Sequence, residues 1–88
     1  MEKLDLFNGY MRSIEQCPAL LSMEVSEGRP RRVSLFVKYE DSSLGKIVSD
    51  MLDQVPVGSC ETYKDKVSII FTNKKAFKAF VKNFKYLQ

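Results

Sequence analysis

The stretch Val33-Ser34-Leu35-Phe36-Val37 is echoed by Val67-Ser68-Ile69-Ile70-Phe71, 34 positions later. In the first copy Val33, Leu35, Val37 and Tyr39 alternate with Ser34, Phe36 and Lys38, the two-residue period of a strand with one buried face. In the second, Val67, Ile69 and Phe71 share one face, while Ser68 and Ile70 share the other. Each stretch follows another strand-like run. Residues 22–27 precede the first across Gly28-Arg29-Pro30, which predicts a hairpin with a loop longer than two residues. Residues 59–64 precede the second across a tight turn near Lys64-Asp65.

An amphipathic helix follows each pair. Leu44, Ile47, Val48, Met51 and Leu52 fall at helical spacing against Lys46, Ser49, Asp50 and Asp53, with Asp41, Ser42 or Ser43 able to cap the start and Pro56 and Gly58 ending it. From Thr72 or Asn73, a last helix places Phe77, Phe80, Val81, Phe84 and Leu87 on one stripe. The two helical stripes match at an offset of 33. Any two amphipathic units look alike to this degree, so the echo predicts two strand-strand-helix units and does not by itself establish a duplication.

Ahead of both units, Leu4, Phe7, Met11 and Ile14 predict a first helix over roughly residues 2–16, stopped by Pro18 because the residue before proline is pushed out of the helical region. Gly9 weakens this helix by about 1 kcal/mol relative to alanine. The expected fold is therefore α+β: an N-terminal helix followed by two strand-strand-helix units, with a four-stranded, largely antiparallel sheet packed against helices. The 88 residues predict a single domain, 1–88, with a radius of gyration of roughly 12 Å.

A composition 44% hydrophobic and 28% charged is that of a soluble globular protein. Apolar runs are too short to span a membrane, and acids interrupt any leader-like stretch at the N-terminus. Cys17 and Cys60 belong to no CxxC pair, and with no histidine in the chain they cannot complete a zinc site. Two reduced, partly buried thiols in a cytoplasmic protein are expected, with no cofactor and no metal.

The absence of histidine removes the commonest general base and the usual catalytic triads. No glycine-rich phosphate loop is present, since Gly9, Gly28, Gly45 and Gly58 are isolated. The close carboxylates, Glu40-Asp41 and Asp50 with Asp53, read as solvated positions. The chain is not expected to be an enzyme.

Charge is the feature that points to a partner. The net +3 conceals a division, because every acid lies at or before Asp65 and Lys66, Lys74, Lys75, Lys78, Lys82 and Lys85 follow it. Lys75, Lys78, Lys82 and Lys85 form a strip opposite the phenylalanine stripe, with Lys74 beside it. Lys74 and Lys75 fall in the first helical turn, where the macrodipole is positive and each cation costs about 0.3–1 kcal/mol. An anion docked there would reverse that penalty.

The run Lys74-Lys75-Ala76-Phe77-Lys78 resembles the Lys-Lys-x-Ala-Lys run that opens the last helix of double-stranded RNA-binding domains. Here alanine stands one position early, with Phe77 in its place, and the helix near 43–54 interrupts what would be a three-stranded meander. The resemblance implies a phosphate-facing role for the lysines and no more. Gly28-Arg29-Pro30 resembles part of the minor-groove AT-hook core, with Glu27 where a basic residue belongs. With Arg31 and Arg32 it forms a second basic cluster at a hairpin tip, a common grip on phosphate backbone. Tyr63, on the expected solvent face of the third strand, is the best stacking candidate; Tyr39 and Tyr86 are expected at core edges.

These features predict a small regulatory protein that engages nucleic acid, RNA ahead of DNA, through Lys74, Lys75, Lys78, Lys82 and Lys85, helped by Arg29, Arg31 and Arg32. The alternative is a protein-binding inhibitor or adaptor, of the phage or accessory type, docking on a partner protein through the same basic face, against an acidic surface, or through the acidic part; a nucleic-acid-handling enzyme is one such partner. A monomer or small homo-oligomer fits either.

Overall fold

The computed structural model describes residues 3–38 and 41–84. Tyr39, Lys85, Tyr86 and Leu87, named above, lie outside the described residues, as does Glu40. The elements run α1 (Lys3–Glu15), β1 (Leu20–Ser26), β2 (Arg31–Val37), α2 (Ser43–Gln54), β3 (Gly58–Thr62), β4 (Lys66–Phe71) and α3 (Lys74–Asn83). The expected α+β layout is what the chain adopts.

The four strands form one sheet in the order β1-β2-β4-β3, antiparallel throughout. Val33, Leu35 and Val37 of β2 and Val67, Ile69 and Phe71 of β4 are buried on one face, as their period-two spacing requires. Against that face α1 places Phe7, Met11 and Ile14, α2 places Leu44, Val48 and Met51, and α3 places Phe77 and Phe80. The last helix is tied down by rings: Phe80 lies 5.3 Å from Phe71, 6.4 Å from Phe7 and 4.5 Å from Phe84, each centroid to centroid. Such aromatic pairs contribute about 0.5–1.5 kcal/mol beyond the area they bury. The radius of gyration is 11.8 Å.

Local chemistry sets the element ends. After α1, Gln16 N–H still donates to the Arg12 carbonyl at 2.9 Å before Pro18 stops the helix. At α2, the Asp41 carboxylate accepts from Ser43 N–H at 3.0 Å and Ser43 Oγ–H at 2.6 Å. At α3, Asn73 Oδ1 accepts from Ala76 N–H at 3.0 Å, a side-chain N-cap. The Val57 carbonyl accepts from Thr72 N–H at 2.9 Å and Asn73 N–H at 3.3 Å, which anchors the start of α3 to the α2–β3 linker.

Leu4, grouped with Phe7, Met11 and Ile14 in the apolar repeat of α1, is 60% exposed, and three details of the sheet add to the sequence reading. β1 begins at Leu20, not residue 22, because Leu20 pairs with Val37 and Leu21 bulges out before Ser22 pairs with Phe36. β3 ends at Thr62, and Tyr63 to Asp65 make the turn, closed by Tyr63 N–H donating to the Lys66 carbonyl at 2.8 Å. Ser68, which alternation places on the face opposite Val67, Ile69 and Phe71, is fully buried although it points away from the helices.

The echo at offset 34 acquires geometric meaning. Ser34 pairs with Ser68, Arg32 with Ile70, and Phe36 with Lys66. A shift of 34 therefore carries each residue of β2 onto the β4 residue related to it by a two-fold axis between Ser34 and Ser68. The strand order β1-β2-β4-β3 obeys the same axis, with β1 exchanging with β3. Glu24, opposite Ser34, corresponds to Glu61, opposite Ser68. The agreement of offset and register is confined to β2 and β4, since Glu24 and Glu61 stand 37 positions apart and the helical stripes 33.

Candidate nucleic-acid interface

α3 is a ten-residue helix whose inward stripe, Ala76, Phe77 and Phe80, is buried. Its other face carries Lys74, Lys75, Lys78 and Lys82, all exposed. Burial of the aromatic stripe thus fixes the rotation of the helix and aims the lysines at solvent. The helix contains no carboxylate, so no i, i+4 partner tempers the strip from within. Lys82 sits in the last turn, where the negative end of the dipole favours a cation. Lys74 and Lys75 sit at the opposite, positive end. Lys75 also borders a shallow apolar groove with Leu4, Phe7, Val55 and Ala79, so its stem covers hydrocarbon.

The arginine cluster divides. Only Arg29 belongs to the hairpin loop; Arg31 and Arg32 open β2, and alternation sends them to opposite faces of the sheet. Arg31 pairs with Phe71, the last residue of β4, and α3 begins at Lys74 just beyond it. The β1–β2 hairpin and the start of the basic helix consequently share one end of the sheet. Arg32 faces away from the helices, with its guanidinium 3.9 Å from the Glu61 carboxylate.

Tyr63 is 49% exposed, yet it lies at the other end of β4 from Lys74 and Lys75. The Lys66 ammonium stands 5.0 Å from its ring centroid, a cation–π arrangement. Its ring also borders a groove of about 720 Å³ lined by Val37, Gly45, Lys46, Thr62 and Val67. Tyr63 and the lysine strip therefore do not form one continuous platform.

The helix-free face of the sheet was not singled out from the sequence. Three rows cross it: Ser26, Arg32, Ile70 and Ser59; Glu24, Ser34, Ser68 and Glu61; Ser22, Phe36 and Lys66. Ser34 and Ser68 hydroxyls meet at 3.4 Å in the centre, and Phe36 and Ile70 are half-buried beside them. The available signal was Phe36 and Ile70, two large apolar residues at positions that alternation assigns to solvent.

Among the described residues no group of three thiols and carboxylates gathers closely enough to hold a metal ion. Asp50 and Asp53 are exposed on α2. Cys17 is buried with its Sγ 3.7 Å from Ser43 Oγ, and burial raises the thiol pKa of Cys60, with Asp53 adding to the effect. A raised pKa is the opposite of what marks an activated thiol, so Cys60 is not set up as a nucleophile. No described helix is long and apolar enough to cross a membrane. Comparison with known proteins finds no matching family model, no matching curated protein and no matching solved structure.

Proposed function

We propose that this protein is a non-enzymatic regulatory module that binds nucleic acid, RNA ahead of DNA, through the outer face of α3. The observation that carries this reading is the exposure of Lys74, Lys75, Lys78 and Lys82 on one face of a helix with no internal acid. Two of them stand where a cation is unfavourable unless an anion joins it. Arg31 and Arg29, near the same end of the sheet, extend the positive region, and the sequence continues the strip to Lys85. Binding of this kind is electrostatic and largely sequence-tolerant. The free thiols of Cys17 and Cys60 suit work in a reducing cytoplasm.

The test is fluorescence anisotropy with single- and double-stranded RNA and DNA oligonucleotides. Neutralising about five phosphates gives a log–log salt slope of roughly −3.5 to −4.5 between about 50 and 200 mM salt. A slope near zero, or no binding at low salt, overturns the reading.

One observation favours a second reading, in which the chain is an inhibitor or adaptor docking on a protein. The helix-free sheet face mixes Arg32, Lys66, Glu24 and Glu61 with Phe36 and Ile70, a composition suited to protein rather than phosphate. Stoichiometric co-purification of one protein, insensitive to nuclease, supports it.

A further inference from the structure

The helix-free sheet face carries an ordered arrangement of charge. Around the axis between Ser34 and Ser68, Arg32 and Lys66 lie on one pair of corners, Phe36 and Ile70 on the other pair, and Glu24 and Glu61 on the outer strands of the central row. Within the four strands, two acids and two bases leave the described part of this face neutral, unlike the α3 surface. Arg32, Phe36, Lys66 and Ile70 are half-exposed, and Glu24 and Glu61 are exposed.

The spacing of these charges makes the face complementary to itself. Glu24 and Glu61 each lie one and a half strand spacings from the axis, about 7 Å across the strands. Arg32 and Lys66 each lie two residues along a strand from the axial serines, also about 7 Å away. The acids therefore mark the direction across the strands, and the bases a diagonal about 20° from perpendicular to it, at nearly equal radius. A second sheet laid face to face and turned by about 90°, one of the two preferred sheet-packing angles, brings each glutamate over a cation of the other copy. Phe36 and Ile70 enter the same contact.

We propose that this face binds a second copy of the chain, forming a two-fold dimer of orthogonally packed sheets held by Glu24 and Glu61 of each copy against Arg32 and Lys66 of the other. The Arg32–Glu61 pair within the chain, at 3.9 Å and solvent-exposed, is long enough to exchange for an intermolecular one. The Lys66 ammonium leaves the Tyr63 ring in the same exchange. A four-stranded face of this size buries roughly 1,000 Å² in total, below the 1,200–2,000 Å² of stable complexes. The dimer is accordingly weak, with Kd on the order of 10–100 μM. Its two α3 strips face outward, so this inference stands independently of nucleic-acid binding.

Sedimentation velocity on the full chain, from about 5 μM to about 1 mM, reads the equilibrium directly. Arg32→Glu with Lys66→Glu should leave a monomer throughout. Adding Glu24→Lys and Glu61→Lys to that variant reverses all four of these charges and should restore the dimer. Glu24→Gln with Glu61→Gln, at exposed positions that do not threaten folding, should weaken association about tenfold or more. Lys74→Glu with Lys75→Glu should leave it unchanged. A wild-type protein monomeric at the highest concentration overturns the proposal, as does a dimer indifferent to Glu24 and Glu61. Dimerisation lost only when α3 is altered overturns it in favour of the basic helix as the contact.

Discussion

Replacing Lys74 and Lys75 together by glutamate separates what these side chains do for the fold from what they do for a ligand. Both are exposed in the first turn of α3, whose N-cap is already formed by Asn73 Oδ1 and Ala76 N–H at 3.0 Å. The substitution thus leaves the cap intact and changes charge at the positive end of the dipole. Removing an unfavourable cation and adding a favourable anion is worth about 0.6–2 kcal/mol per position at low ionic strength. Exposure and screening bring the pair toward about 1 kcal/mol in total, and the lost cover of the Lys75 stem over Leu4 and Val55 trims it further. For a domain of this size that is a rise in Tm of about 4–8 °C, shrinking as salt is added. The same variant should lose two phosphate contacts, flattening the log–log salt slope of nucleic-acid binding by about 1.4–1.8. Differential scanning calorimetry at two salt concentrations and anisotropy titrations measure the two effects. A variant that melts no higher at low salt refutes the dipole argument. One that is stabilised yet binds nucleic acid as before refutes the role given to the first turn.

Gly58 admits no side chain, because a Cβ there would overlap the Ile70 carbonyl in the β3–β4 pairing; Gly58→Ala should destabilise by about 2–4 kcal/mol in urea titrations. Gly9, where a Cβ would have no neighbour within 4 Å, should behave oppositely, and Gly9→Ala should stabilise by about 0.5–1 kcal/mol in the same assay. Phe80→Ala removes a fully buried ring shared by Phe7, Phe71 and Phe84, and should cost about 3–5 kcal/mol by chemical denaturation. The hydroxyl and backbone N–H of Ser43, aided by Lys38, hold the Asp41 carboxyl below the usual carboxylate range. Because the folded state lowers that pKa, its contribution is present above the unfolded carboxylate value and disappears as pH falls through the folded one. Thermal melts in that acid window should show a flatter pH dependence for Asp41→Asn than for wild type.

The elements and their buried faces follow from amphipathic spacing, because a two- or 3.6-residue period records locally which side of a segment avoids water. Val33, Leu35 and Val37, the α2 stripe and the phenylalanines of α3 all lie inward as that rule requires. Outward-facing positions are another matter. Tertiary structure buried Ser68 under its neighbours and set Tyr63 at the far end of β4 from Lys74. It also placed Ser34 beside Ser68, which turned a faint echo at offset 34 into an axis with matched charges around it. Strand order and register join residues far apart in the chain, and no local period encodes which strand lies beside which. The sequence by itself determined the segments and the polarity of each face; only packing decided which charges from different segments came to share a face.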